Sequence, residues 1–348
     1  MISIDKWFKI KNKIKNDAPD NKKIFPKYFY LNWISNKEYE ISWTNDLPEK
    51  YNFLKEVHLR GYNEKLIFIG NIIYNKVIFS MIKSEKNYYS NNTSFLKSHL
   101  QKCVRRGEAY KSILTTYLLI EKDISALLRR LVIIILEDVH IIQEIDIIVW
   151  FMVMCNHISV PNSYKMWLLY LIKYITELDN KMYYEKLSND LKQPIIQNLD
   201  CLDKLSKNQK SVIYSLMIRR AYGGMKGDMA MIDYLIYDWA HKFDETGKEL
   251  GYIKSKNVII YKTLDRKYYE LSAADFHCWP KLLDILNNKY PEFDKLLIKK
   301  TIWHKSSCIN FRIKHNYENN NINKCWLMIE EKLLELQKEY IKKNIWKT

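Results

Sequence analysis

The chain has 348 residues, 56 Lys and Arg residues against 40 Asp and Glu residues, and a formal net charge of +16. Hydrophobic residues make up 47% of it, which excludes a globally disordered protein, and eight Gly with seven Pro exclude a collagen-like or low-complexity chain. Six cysteines without a CxxC pair exclude a disulfide scaffold and a ribbon-type zinc module. The length fits one large domain or two ordinary ones.

The excess of basic residues has two interpretations. A surface with a charge of +16 attracts polyanions, and this attraction weakens as salt is added. Frequent Lys, Asn, Ile and Tyr with scarce Gly and Ala are also typical of an AT-rich coding genome, such as that of many large DNA viruses. The charge therefore predicts contact with nucleic acid, DNA before RNA, and a merely basic, solvated surface is the alternative.

The sequence shows neither a signal peptide nor a membrane-spanning segment, which predicts an intracellular protein that does not enter a membrane. The start, MISIDKWFKIKNK, lacks the apolar run of a signal peptide, so we expect a reducing compartment: the cytoplasm, the nucleus or a viral factory. Residues 131–155 are strongly apolar, but a spanning helix needs about 20 mostly apolar residues with few charges. This stretch is interrupted by Glu137, Asp138, Glu144 and Asp146. We therefore predict two core helices there.

The first 90 residues predict a small mixed α/β part. Aromatic-rich runs broken by Pro26 and Pro48 indicate short strands or loops. Residues 65–82 carry β-branched runs around Gly70 that fit either a strand or a helix. We expect three regions in the whole chain, an N-terminal mixed region, a helical core domain and a C-terminal helical region, with bounds 1–90, 91–245 and 246–348.

Helices are predicted from residue 94 onward. Apolar residues recur at every fourth position until Gly107, a residue type that often follows a helix end. Ser125 and Asn162 are predicted to cap later helices. The further helices of this part are predicted at 108–121, 125–139, 141–154 and 162–178. Such short-linked helical hairpins predict a mainly α fold, a helical bundle or stacked helical hairpins, without a repeat of fixed period.

The C-terminal half continues this pattern. Ser206 and Gln209 have the spacing of a capping box, which predicts a helix running to Tyr222. Three of the eight glycines lie within residues 223–228, which predicts a turn before the next helix at about 228–243. Beyond it the sequence predicts a short β-hairpin, two short helices and a terminal amphipathic helix, at 258–271, 280–289, 291–305 and 324–345.

Residues 100–139 contain the most informative motif. The segment LQKCVRRG is followed by a helix and then by LLRRLVIIILEDV. In the second segment an arginine–arginine–leucine motif is separated by five apolar residues from an acidic pair; these are Arg129, Arg130, Leu131, Glu137 and Asp138. The arrangement is similar to the C-terminal helical region of clamp-loader-like AAA+ ATPases of the replication-associated recombination protein A and Werner-helicase-interacting protein group.

The resemblance covers residues 94–178, under a quarter of the chain. It implies oligomerisation and membership of replication, recombination or repair machinery, with other proteins of that machinery as partners. The family carries an ATPase module ahead of this region, whereas this chain contains no GxxxxGKS/T motif and its first 90 residues are too few for such a module. The implied protein is therefore a nucleic-acid-associated homo-oligomer that does not hydrolyse ATP and needs no cofactor.

The same charged residues also have a direct structural interpretation. Residues 127–136 are apolar on nearly every side, so their helix is predicted to be buried. Arg130 and Glu137 lie two turns apart on one face, too far for a direct contact. We expect each to pair with a neighbouring helix or to cap a terminus, and so to fix how the helices cross. Contact with a ligand is the alternative.

Two basic clusters are predicted to bind phosphate. The first occupies the last helical turn before Gly107, where cations complement the helix dipole. The second lies in RRAYGGMKGD at 219–228, where a glycine-rich turn exposes N–H groups and a helix N-terminus favours an anion. The alternative is a helix C-cap, a tight turn and an N-cap at Asp228. The predicted nucleic-acid-binding residues are Lys102, Arg105, Arg106, Arg219, Arg220 and Lys226.

A third constellation offers groups for catalysis or metal binding. Asp275 and His277 could act as acid and base or bind a metal. His277 and Cys278 could also form a zinc site with His304 and Cys308, but these spacings fit no established zinc module. We therefore predict no metal site.

Carboxylates elsewhere leave one enzymatic hypothesis open. Asp228, Asp233 and Asp275 could serve two-metal phosphodiester chemistry if the fold brought them together. The alternative function is thus a metal-dependent, nuclease-like enzyme that uses Asp228, Asp275 and His277. A purely structural scaffold that binds other proteins is a further hypothesis.

Overall fold

A computed structural model describes residues 24–62, 65–74, 92–178, 200–246, 250, 269–307 and 320–345. It confirms a mainly α fold with a small mixed part at the N-terminal side. The strands are β1 Tyr28–Trp33, β2 Tyr39–Thr44, β3 Phe53–His58 and β4 Lys65–Ile72. The helices are α1 Thr93–Arg106, α2 Ala109–Asp138, α3 Ile145–Met154, α4 Asn162–Glu177, α5 Lys207–Ala221, α6 Lys226–Thr246, α7 Leu282–Lys289, α8 Lys295–Ile302 and α9 Asn320–Asn344.

The four strands form one mixed sheet in the order β2-β1-β4-β3. The two outer pairs are antiparallel and the central pair, β1 with β4, is parallel. Residues 65–72 of the ambiguous segment 65–82 form β4, which pairs with β1 and β3, and residues 75–82 lie outside the described residues. The sheet packs on α3, where Trp150 Nε1 donates to the Phe29 carbonyl at 3.1 Å.

Helix α2 spans both helices that the sequence predicts before residue 139. Asp123 interrupts it with non-helical backbone angles, φ −160° and ψ 82°. The Asp123 side chain accepts a hydrogen bond from the Ala126 N–H at 2.8 Å, so it caps the second half. The predicted break is thus present, but its cap is Asp123 and Ser125 lies inside the helix.

Some helix boundaries lie where the sequence predicts them, and others lie a few residues away. The capping box is confirmed: Ser206 Oγ accepts from the Gln209 N–H, and Gln209 Oε1 accepts from the Ser206 N–H. Helix α3 begins four residues later than predicted. Residues 258–268 of the predicted hairpin lie outside the described residues, and Leu271 opens a short 3-10 turn that ends at Ala273.

Two clusters of buried apolar side chains hold the described residues together. The larger one joins the sheet to helices α1–α6. The smaller one joins α7 and α8 to α9. Helix α9 contributes to both, because Ile329 and Leu333 lie in the smaller cluster and Ile341 lies in the larger one. Among the described helices, none is long and apolar enough to cross a membrane.

Candidate anion-binding site

The cations at the end of α1 contact carboxylates inside the protein. Lys102 Nζ lies 2.6 Å from Asp275 Oδ2, and the two side chains are 5% and 0% exposed. Asp275 also accepts hydrogen bonds from Ser307 Oγ at 3.1 Å and from the His277 N–H at 2.9 Å. Burial would raise the pKa of the Asp275 carboxyl, but Lys102 and His277 outweigh it and hold the pKa below its ordinary value. The Lys102 charge is therefore balanced within the fold.

Arg105 is also buried and paired. Its guanidinium donates to both carboxylate oxygens of Asp138, in a two-point contact typical of strong Arg–carboxylate pairs. It also contacts Glu137 Oε1 at 3.3 Å and the Ser307 carbonyl. The contact fixes the end of α1 to the end of α2.

Arg106 makes the third contact of this kind. Its Nη1 lies 2.8 Å from Glu270 Oε2, and its Nη2 donates to the Ser306 carbonyl at 2.7 Å. Lys111 contacts the second oxygen of Glu270. Lys102, Arg105 and Arg106 thus face inward and connect α1 to the segment 270–307. This placement differs from the predicted phosphate surface, because their charges already have carboxylate partners.

Gln101 links the charged residues of the family-like motif. Its Nε2 donates to Glu137 Oε2 at 2.6 Å and to Asp138 Oδ2 at 2.9 Å. Its Oε1 accepts from Arg130 Nη1 at 3.4 Å. Arg130 and Glu137, seven positions apart on α2, therefore meet through one side chain of the neighbouring helix α1. The contacts attach the second half of α2 to α1.

Arg219 of α5 is the central residue of a different cluster. It is 3% exposed, its Nε donates to the Arg129 carbonyl at 3.0 Å and its Nη1 donates to the Gly223 carbonyl at 2.8 Å. Its Nη2 has no hydrogen bond within the described residues and points to the glycine turn, since a Cβ built on Gly224 would lie 3.7 Å from it. Both N–H groups on Nη2 of this buried guanidinium are thus unused within the described residues.

Three further cations belong to this group: the charges of Arg129 and Arg130 act on Arg219, and the same two charges act on Lys97. Lys97 of α1 is half-buried, Arg129 of α2 is exposed, and Arg130 lies 3.9 Å from Asp228 Oδ2 through its Nη2. We call Lys97, Arg129, Arg130 and Arg219 the Arg219 cluster. Among the described residues, Asp228 is the one carboxylate that lies within 4 Å of these four cations. Asp123 and Asp228 also act on Lys97, and Asp228 acts on Arg219.

The cations of the Arg219 cluster destabilise one another. Burial, together with the Arg129 charge, lowers the pKa of Arg219 to about 10. Burial likewise lowers the pKa of Lys97, and the Arg130 charge adds to this effect. Both shifts mean that the charged forms are disfavoured, so a bound anion would be stabilised by the cluster.

The glycine turn lies at the edge of the Arg219 cluster. Gly223 and Gly224 have φ angles of 73° and 158°, which side chains with a Cβ rarely adopt. Helix α6 begins directly after the turn, and the first N–H groups of a helix lack partners within it. Lys226 in its first turn is exposed. Arg220 differs from Arg219, because it makes a two-point contact with Asp233 at 2.8 and 3.1 Å.

The carboxylates of the nuclease hypothesis each contact a different cation. Asp228 contacts Arg130, and Asp233 contacts Arg220. Asp275 is held by Lys102, as described above. Within the part of the chain that the structure describes, no three His, Cys, Asp or Glu residues form a group that could hold a metal ion.

The predicted acid–base pair does come together. His277 Nδ1 lies 3.2 Å from Asp275 Oδ1. Burial raises the pKa of the neighbouring Cys278 thiol to about 11, which keeps it protonated at neutral pH. The His304 ring contacts the Trp303 ring, and Cys308 lies outside the described residues.

Lys97 and Gln101 were not predicted as site residues. They lie one turn apart on α1, so a helical wheel places them on the same side. No known family, curated protein or solved structure matches the chain. The chain is thus a mainly α protein with a recessed cluster of four cations that outnumber the carboxylates in contact with them.

Proposed function

We propose that the protein is a helical, nucleic-acid-associated protein that does not hydrolyse ATP and contacts DNA phosphates through the Arg219 cluster. It acts in replication, recombination or repair within a reducing compartment, the cytoplasm, the nucleus or a viral factory. It assembles as a homo-oligomer through its central helices, as the resemblance of residues 94–178 implies.

One observation supports the phosphate contact above all others. Arg219 is buried without a carboxylate partner, and its Nη2 donor is unused within the described residues. A buried charge normally has a partner, because removal from water otherwise costs several kcal/mol. The excess positive charge of the cluster and the adjacent Lys226 complement a phosphate group.

The test is a salt series of binding measurements. Fluorescent single-stranded and double-stranded DNA and RNA are titrated with the full chain, whose oligomeric mass is measured in the same buffers. The variant Arg129→Glu/Lys226→Glu reverses two exposed cations at the site. The control Lys300→Glu/Lys338→Glu makes the same charge change on α8 and α9, where both side chains are exposed.

The proposal predicts a linear fall of log affinity with log salt for the wild-type chain. The site variant is expected to bind at least about tenfold more weakly, with a salt slope reduced by about 2. The control is expected to change affinity by less than about threefold. Equal losses in both variants would show that net charge alone attracts the polyanion, and no binding near physiological salt would favour the protein scaffold.

A further inference from the structure

The Arg219 cluster differs from a surface track for a nucleic-acid backbone. A continuous strand is followed by exposed cations in a row, each meeting a singly charged phosphodiester. Here the central guanidinium is almost completely covered, Arg130 is largely buried near it, and Lys97 is half-buried near Arg130. A phosphate that reaches Arg219 Nη2 must therefore project away from the path of a continuous nucleic-acid strand and enter between the helices.

The cations at this point also outnumber the carboxylates in contact with them. The cluster has four cations, and among the described residues one carboxylate, Asp228, lies within 4 Å of them. A phosphomonoester has a charge of about −1.5 to −2 at pH 7 because its second pKa is about 6. It also presents three acceptor oxygens, which can meet Arg219 Nη2, a second cation and the N–H groups that open α6.

We infer that the Arg219 cluster binds a phosphomonoester, the terminal phosphate of a nucleic-acid strand or of a free nucleotide, in preference to an internal phosphodiester. This inference rests on the proposed function, since it names the ligand of the same site. Arg219 supplies the innermost donor, and Lys97, Arg129 and Arg130 balance the charge. The glycine turn brings Gly224 beside Arg219 Nη2, and the Met229 side chain lies at the same point.

The test compares ends of otherwise identical strands. Single-stranded DNA with a 5′-phosphate, a 3′-phosphate or two hydroxyl ends is titrated at pH 7.5 and pH 5.0, with a nucleoside monophosphate and inorganic phosphate as competitors. We expect at least one phosphorylated end to bind about tenfold more tightly than the hydroxyl strand at pH 7.5. This preference should shrink at pH 5.0, because the monoester gains a proton below its second pKa.

Two variants assign the preference to the cluster. Arg219→Lys keeps the charge but loses the fork of donors, and it should abolish most of the preference if it folds with wild-type circular dichroism. Arg129→Gln changes an exposed side chain, so folding is preserved, and it should reduce the preference by about threefold. Lys300→Gln is the matched control and should leave the preference unchanged.

The outcomes separate the two proposals. Equal affinity for phosphorylated and hydroxyl strands, with salt-dependent binding intact, overturns the inference and leaves the proposed function standing. A preference that persists in both cluster variants also overturns it. If a nucleoside monophosphate competes with the affinity of the phosphorylated strand, the inference is supported and the ligand is the free nucleotide. If it competes weakly while the phosphorylated strand is preferred, the ligand is the phosphorylated end of a strand. If the wild-type chain binds none of the strands, both proposals are overturned.

Discussion

Lys102 and Asp275 lie 173 positions apart in the chain and form a buried ion pair 2.6 Å long. Arg105 and Arg106 extend this link, because they donate to the carbonyls of Ser307 and Ser306. Helix α1 belongs to the larger apolar cluster, and the contacted residues flank α7 and α8 of the smaller one. The basic end of α1 thereby joins the two clusters. These cations have a structural role that their sequence context does not indicate.

Removing one partner of the Lys102–Asp275 pair should destabilise the fold strongly. Lys102→Met leaves a buried carboxylate without its cation, and we expect the free energy of unfolding to fall by about 3–5 kcal/mol in urea denaturation. Adding Asp275→Asn should recover part of this loss, because the uncompensated charge disappears. The control is Lys295→Met: its pair with Asp284 is exposed by 50% and 58%, so the change should stay below about 1 kcal/mol. Similar losses in both single variants would contradict a special role for the buried pair.

Asp146 should make stability depend on pH. It is buried in α3 and accepts hydrogen bonds from Ser211 and Ser215 at 2.5 and 2.7 Å. Burial raises its pKa from 3.8 to about 7, which the two hydroxyl contacts only partly oppose. The folded state thus keeps a proton that the unfolded chain releases near pH 4, so stability falls as pH rises from about 4 to about 7 and then levels off.

Asp146→Asn should remove this dependence. The amide keeps the shape and cannot ionise, so the variant is expected to exceed the wild type in stability above pH 7 by an amount on the order of 2–4 kcal/mol. Thermal unfolding between pH 4.5 and pH 8 measures the slope. Asp203→Asn, at an exposed position, is the control and should keep the wild-type slope. The same slope in all three proteins would show that another group titrates.

Gly70 should not tolerate a side chain. It lies in β4, and a Cβ there would be 2.9 Å from Trp150 Cζ2, so Gly70→Ala must displace a buried indole. We expect a loss of about 1–3 kcal/mol. Gly227→Ala is the matched control, because nothing lies within 4 Å of its Cβ position in the first turn of α6. That variant should be neutral or more stable by up to about 1 kcal/mol. Denaturant titration measures the free energy of unfolding of both variants. Equal changes in the two would contradict the predicted clash.

Helix α9 should be sensitive on one face only. Leu333 is 0% exposed and Leu327 is 79% exposed on the same helix. Leu333→Ala should lower the free energy of unfolding by about 2–5 kcal/mol because it opens a cavity in the smaller cluster. Leu327→Ala should stay within about 0.5 kcal/mol. A large effect of Leu327→Ala on both stability and oligomeric mass would show that a second chain covers this face.

Local chemistry made several elements predictable from the sequence. The Ser206–Gln209 capping box depends on side chains three residues apart, and the structure contains it as predicted. The break in α2 was also foreseen, although the cap falls on Asp123, since several polar residues near a break can accept the same N–H bond. The predicted amphipathic helix at 324–345 is present as α9 for the same local reason, and its buried residues Ile329, Leu333 and Leu336 recur with the helical period.

The Arg219 cluster could be anticipated only in part. Arg219 and the adjacent Lys226 were predicted as phosphate contacts because a glycine turn beside basic residues is a local signal, whereas Lys97 of the cluster comes from a helix more than 100 positions earlier. Arg219 and its neighbour Arg220 look alike in the sequence, yet one lies against backbone carbonyls and the other faces Asp233. Their difference depends on which helix packs against each side of α5.

The sequence by itself thus determined the fold class, most helices and the basic character of the protein. These follow from hydrogen bonds and apolar periodicity within a few residues of each position. The tertiary structure alone decided which cations are neutralised and which remain available. A charge is neutralised by the carboxylate that folding brings near it, and for Lys102 that carboxylate is Asp275, on a distant segment of the chain.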